Sequence, residues 1–373
     1  MIDMKLVLKM AERYIRPSAL KPLSLCSGRA LMEAAVTLID GEEPESEEAS
    51  AGTAGHNVIS NAIMLWTAGL QDWGGAIEHA RAECDNHGMS GYDTWSVVWC
   101  IEFARDLIAH HDIDRDNVMV ELGLAMDGFR HGGTADLVLV DPFRRVIVVD
   151  WKLGNLDQGD ADEHDQTQAY AWGAARYFQC EEVIVHLAQP KAEKHRRKTG
   201  AIYDAEALLA NHAWSQSVIN LARGDRPELV AGYEQCVYCD ALLRCPEAQG
   251  AIMDAIQAIT DMQPCDSAER GRRIGLAKLA KKWADRIEKA DKKALMDGET
   301  ADGWTLKPGG TMRSIKETLK AYDRMIQAGK LAEFLEACSI RMGELSPADK
   351  ELLADLIEEK EKAPSLAPDR RSA

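Results

Sequence analysis

Residues 132–152, GGTADLVLVDPFRRVIVVDWK, decide the fold. Two apolar runs, LVLV at 137–140 and VIVV at 146–149, flank a polar turn made of Asp141, Pro142, Arg144 and Arg145. The runs are short and rich in β-branched residues, which predicts two strands of a hairpin with little solvent exposure. Each arm carries an acid at one end: Asp136 opens the first, and Asp150-Trp151-Lys152 closes the second. A buried strand tolerates charges only where they have partners. Two carboxylates and a lysine can hold Mg²⁺ or Mn²⁺, orient a water and stabilise a developing phosphorane. Taken alone, the hairpin reads equally well as one with solvated charged ends.

The 373 residues suffice for one large domain with appendages. No apolar run approaches the ~20 residues of a membrane span. The N-terminal MIDMKLVLKMAERYIRP is charged throughout and lacks a signal-peptide core, so a cytoplasmic location is expected. There the nine cysteines should be reduced or metal-bound. A net charge of −17 argues against a general nucleic-acid coat. It leaves room for a nuclease whose acidic site takes a metal first. The densest basic patch, KAEKHRRK at 191–198, reads equally as a solvated loop or a DNA contact.

Along the chain, residues 4–16 predict a short helix ended by Pro17, with Cys26 near the start of a second helix. DGEEPESEEAS at 40–50 is an acidic stretch without a core of its own, expected to be a mobile loop. Thr53 is then a candidate N-cap, with His56 in the first helical turn. Residues 71–116 read as helical, and 117–127 as a strand that turns Glu121 to one face. A helix from about 162 places Gln166 and Tyr170 on one face, and EVIVHLAQP at 182–190 is another strand. Helix, three strands, helix, strand implies an α/β sandwich with a mixed sheet. After a helix over 203–224, Cys236, Cys239 and Cys245 form a C-x₂-C-x₅-C array, a metal signal that needs a fourth ligand. Cys26 and Cys265 are the candidates. Spacing does not choose between Zn²⁺ and an iron–sulfur cluster. Residues 251–361 read as a helical extension, with GWTLKPGG at 303–310 a hairpin or extended piece and 362–373 a disordered tail.

GTAGH at 52–56, GGTAD at 132–136, DWK at 150–152 and QTQAY at 166–170 resemble, in order, the motifs of RecB-like nucleases of the PD-(D/E)XK superfamily. The resemblance spans roughly residues 18–250 and implies a restriction-endonuclease-like α/β/α sandwich, with 1–250 as the nuclease domain. One upstream and three downstream cysteines look like the iron–sulfur staple of AddB-type and CRISPR-associated members. That likeness favours Cys26 over Cys265 and a 4Fe–4S cluster over zinc. LSLCSGRALMEAA, LAQP, GWTLKPGG and PSLAP look like landmarks of the phage-associated domain of unknown function 2800, a resemblance over nearly the whole chain.

The resemblance implies a metal-dependent deoxyribonuclease, an exonuclease of phage DNA recombination, replication or repair that leaves 5′-phosphate and 3′-hydroxyl ends. His56, Asp136, Asp150 and the Trp151 carbonyl would ligate Mg²⁺ or Mn²⁺. Lys152 would orient the attacking water, and Gln166 and Tyr170 would position substrate. Glu121 reads equally as a ligand, a supporting acid or a surface acid. Ser60 departs from the family, which often has glutamate four residues after the histidine. No Walker-type phosphate loop is present, so processivity would require a ring-like homo-oligomer or a partner. A single-strand annealing protein is the partner suggested by analogy. The competing expectations are a non-catalytic DNA-binding scaffold with the same fold, and a structural zinc protein.

Overall fold

The computed structural model describes residues 4–42, 47–127, 132–155, 158–261, 266–301, 306 and 325–327. The expectations for Cys265, for GWTLKPGG other than Leu306, and for the tail at 362–373 lie outside the described residues, as does most of the extension beyond residue 301.

The hairpin forms as its patterning predicts. Strand β2 (Gly132–Val140) pairs antiparallel with β3 (Val146–Trp151), Val138 opposite Val148. Its turn is tied by Asp141, whose buried carboxylate accepts from the amides of Phe143 and Arg145 and from the Arg145 side chain. These bonds outweigh burial and hold the Asp141 carboxyl below the usual range. Every residue of β3 is buried, so it is a central strand. The sheet order is β1-β2-β3-β4-β5. β1 (Val118–Ala125) pairs antiparallel with β2; β4 (Val183–Ala188) runs parallel to β3; β5 (Lys198–Tyr203) is antiparallel to β4. The parallel β3–β4 step requires a crossover, which helix α7 (Asp165–Phe178) makes.

The remaining helices are α1 (Met4–Ala11), α2 (Leu20–Leu25), α3 (Arg29–Asp40), α4 (Glu47–Thr67), α5 (Trp73–Asn86), α6 (Gly91–His110), α8 (Ala205–Ala222), α9 (Tyr233–Cys236), α10 (Pro246–Asp261) and α11 (Ser267–Met296). Helices cover both faces of the sheet. On one, Leu137, Leu139, Ile147, Val149 and Trp151 pack with residues of α4, α5 and α6. On the other, Val138, Val148, Val183 and Val185 pack against Ala171, Ala174 and Ala175 of α7. A third core joins α1–α3 to α8, and a fourth gathers Cys236, Cys245 and Leu279 of α11. The molecule is therefore mixed α/β with a five-stranded mixed sheet. Among the described residues no helix is long and apolar enough to cross a membrane.

Expectations for several stretches need correction or refinement. Of the stretch 40–50 expected to be a loop, Asp40 ends α3 and residues 47–50 are already helical in α4. Thr53 is thus not the N-cap, and His56 lies more than two turns into the helix. Residues 71–116 are mainly helical as expected, in two helices: a turn at Gly88 (φ +66) leads to Ser90, which caps α6 by accepting from the Asp93 amide. Cys26 follows α2 directly and lies three residues before α3, near a helix start as expected. The basic patch is neither all loop nor all exposed, since Lys194–Arg196 form a 3₁₀ turn and Lys198 begins the unforeseen β5.

Candidate functional site

The acid-bearing ends of β2 and β3 meet α4 and α7. Alternation in β2 places Leu137 and Leu139 toward α4–α6 and Val138 toward α7, yet Ala135 also lies on the α7 side. In β1, Val118 and Val120 face α4–α6 whereas Leu122 and Leu124 face α7. The period-2 alternation therefore slips at Asp136 and at its opposite residue, Glu121. Glu121 adopts φ +53, left-handed backbone that costs a non-glycine residue about 1 kcal/mol or more. That slip brings Glu121, Asp136 and His56 together, with one ligand atom from each within 4.8 Å of the other two.

Each of the three is held. Asp136 is buried; its Oδ1 lies 3.1 Å from His56 Nδ1, and its Oδ2 accepts the Trp151 amide at 2.7 Å. Ser60, one turn after His56 on α4, donates to Glu121 Oε1 at 2.8 Å. Gly55 lets α4 approach: a Cβ there would lie 2.4 Å from Leu153 Cδ1. Burial raises the Asp136 carboxyl, and the charge of Asp150 adds to this against the bonds from His56 and Trp151. Burial works to lower His56, but its bond to Asp136 and the charges of Asp136 and Asp150 hold it above its ordinary value.

Asp150 is buried beside this trio rather than within it. Lys152 Nζ lies 2.7 Å from Asp150 Oδ2, an ion pair without hydrogen-bond geometry, so that buried oxygen has no hydrogen-bond partner among the described residues. Lys152 donates to Gln166 Oε1 at 2.8 Å, and Gln166 Nε2 donates to the Tyr170 hydroxyl at 3.0 Å. Burial first, then nearby Asp150, pushes the Tyr170 phenol far up, so it stays protonated. Of the residues expected at a metal, His56 and Asp136 converge with Glu121, Asp150 faces Lys152, and Trp151 contributes its amide to Asp136. Gln166 and Tyr170 extend from Lys152 as a relay. Ser60 was read only as a departure from a motif; its i, i+4 relation to His56 was the available signal of a role at the site.

The second constellation lies at α2, α3 and α9. Cys26, Cys236, Cys239 and Cys245 are all buried. Burial raises the Cys26 thiol and the charge of Cys245 adds to it; Cys236 is raised by burial and then by Cys26 and Cys245. Among the described residues no three of these sulfurs lie mutually within 4.8 Å. The Cys26 sulfur accepts the Val230 amide at 3.4 Å. Arg29 donates to the carbonyls of Gln235 and Tyr238, Glu33 accepts from Arg29 and from the Asp240 amide, and Arg286 of α11 donates to the Cys239 carbonyl. Nothing in the sequence pattern marked Arg29, Glu33 or Arg286, since their role depends on contacts some 50 to 200 residues away.

Fold and site together define a mixed α/β protein with a histidine–carboxylate cluster at one end of its central hairpin. The sequence matches the family described as Protein of unknown function (DUF2800) over residues 25–372, and the chain belongs to that family. No curated protein matches it. One solved structure, "Crystal structure of SSO0001", aligns at 19% identity over 45% of this chain and 80% of its own, with a TM-score of 0.24. That overlap is too loose to bear on fold or function.

Proposed function

We propose that the chain is a Mg²⁺- or Mn²⁺-dependent DNA nuclease of the RecB-like PD-(D/E)XK type, with a restriction-endonuclease-like core. On this reading it is an exonuclease of phage DNA recombination, replication or repair. The observation that carries the reading is the cluster of His56, Glu121 and Asp136 beside the Asp150–Lys152 pair. A buried carboxylate oxygen without a hydrogen-bond partner stands next to three convergent donors, which is how a hard cation's ligand set looks without its ion. The order of elements supports the reading too: GTAGH lies on α4, GGTAD and DWK on paired strands, and QTQAY on α7.

His56, Glu121 and Asp136 would hold the cation, with Asp150 adjacent. When bound, it supplies Lewis acidity at the phosphate and a lowered pKa for water. Asp136 cannot swing away, because His56 and the Trp151 amide hold its two oxygens. Lys152, fixed between Asp150 and Gln166, presents its ammonium where charge develops on the phosphorane and orients the attacking water. Tyr170 braces Gln166, and so braces Lys152. In-line attack breaks the bond to the 3′ oxygen, leaving 5′-phosphate and 3′-hydroxyl.

The four cysteines would hold a 4Fe–4S cluster. The choice of iron–sulfur over zinc rests on the resemblance to the cysteine-stapled nucleases. The decisive test uses anaerobically purified protein with linear duplex and single-stranded DNA, each end labelled separately, in Mn²⁺, Mg²⁺ or EDTA. The reading predicts metal-dependent loss of label progressing from one end. Intact DNA in every metal overturns it.

A further inference from the structure

The basic patch at 191–198 lies at the same end of the sheet as the cluster. The β3 residue Trp151 pairs with Ala188 of β4, and the Lys152 amide donates to the Ala188 carbonyl at 2.8 Å. The next residue, Gln189, closes a loop on itself: its amide donates to the Arg197 carbonyl at 2.7 Å. Its buried side chain binds the Gln158 amide and the Gly159 carbonyl. Everything from Pro190 to Arg197 therefore projects from the strand end that follows Asp150 and Lys152.

The start of α6 flanks this loop. Tyr92 and Trp95 stack at 5.6 Å; the Lys191 ammonium stands 5.9 Å from the Tyr92 ring and the Arg197 guanidinium 5.3 Å from Trp95. Lys191 also pairs with Asp93, and Arg196 lies 3.6 Å from Asp160. Those contacts anchor the loop. They leave Lys194, in the exposed 3₁₀ turn, and Lys198, exposed at the start of β5 with its ammonium 5.7 Å from the Phe103 ring, with no ion pair among the described residues. Residues 191–198 hold five Lys or Arg and one Glu in a chain of net charge −17. Local positive charge at the mouth of an acidic site is what a polyanionic substrate requires.

We infer that the 191–198 loop is a phosphate-binding arm: Lys194 and Lys198 contact the backbone of the DNA strand that enters the site, on a base clamped by Arg197 and Lys191 against Trp95 and Tyr92. This rests on the nuclease reading and adds where the substrate lies. The contact is sequence-independent, because phosphates carry no base information.

The test compares wild type with two doubly substituted chains of equal charge change: Lys194→Gln with Lys198→Gln in the arm, and Lys281→Gln with Lys289→Gln on exposed positions of α11. Binding of a fluorescent oligonucleotide is measured against salt in Ca²⁺, and cleavage kinetics are measured in Mn²⁺. For the arm pair, two lost phosphate contacts reduce the salt slope by about 1.4 on single strands or about 1.8 on duplex, and raise KM about tenfold with kcat unchanged. The α11 pair behaves as wild type. An arm pair that binds and cleaves like wild type overturns the inference while leaving the nuclease reading in place, as does an equal loss in the α11 pair. A wild type that neither binds nor cleaves DNA removes both.

Discussion

On the proposed nuclease reading Ser60 stands where related helices often have glutamate, and its hydroxyl instead donates to Glu121 of β1. Ser60→Ala should leave the fold intact and free Glu121, weakening Mn²⁺ binding by about 10–100-fold, the usual cost of losing a group that orients a metal ligand. Titration calorimetry checks this; an unchanged Kd would show that Glu121 needs no support. A second residue-scale expectation concerns His186 on β4, edge-on to Phe103 at 5.7 Å. Burial, then the charges of His111 and Lys198, push its pKa down to about 4. The folded chain keeps this ring neutral while the unfolded chain takes up a proton below about pH 6.5. Its contribution is complete above that pH and is lost progressively as pH falls toward 4, by up to about 3 kcal/mol. Urea midpoints of His186→Gln should fall less than wild type between pH 7 and 4.5; parallel curves would contradict the assignment.

At the scale of elements, α7 lies against β1 through Gly173, where a Cβ would meet Leu124 Cβ at 2.9 Å and the Ala125 carbonyl at 3.1 Å. Alanine in a helix interior normally gains about 1 kcal/mol over glycine. Overpacking against a fixed strand costs about 1–3 kcal/mol, so Gly173→Ala should lower stability in urea denaturation. A stabilised variant would mean that α7 sits further from the sheet. The elements that sequence made legible are those with strong periodicity: the LVLV and VIVV runs became β2 and β3, and EVIVHLAQP became β4. β5 escaped notice because KTGAIY is an edge strand with a glycine and only faint alternation, beginning inside a run of cations. The start of α4 was misplaced because acidic residues that suggest a mobile loop also favour the first turn of a helix. That His56, Lys152 and Gln166 lie near Asp136 and Asp150 was legible through the order of the motifs that carry the resemblance. The slip of alternation at Glu121 and Asp136 was not legible, since it arises from a backbone torsion no residue type there demands.

At the scale of the whole molecule, Cys26 feels the charges of Cys236 and Cys245 from about 200 residues along the chain, and α11 covers the core around Cys236 and Cys245 with Leu279, Ala280 and Trp283 while Arg286 clasps the Cys239 carbonyl. The reading proposed for these thiols makes cluster binding part of folding. Anaerobically purified wild type should carry iron and visible absorbance; Cys26→Ser and Cys239→Ser should lose both and melt at lower temperature. Colourless wild type with stoichiometric zinc would contradict it.

The proposed nuclease activity requires a cation at the hairpin end. Mn²⁺ titration followed by electron paramagnetic resonance should show one tight site in wild type, lost in Asp136→Asn, weakened in Glu121→Gln and kept in Arg176→Gln, whose guanidinium stands 5.9 Å from the Trp172 ring on α7. A wild type without a saturable site, or a site indifferent to Asp136→Asn, would contradict the account.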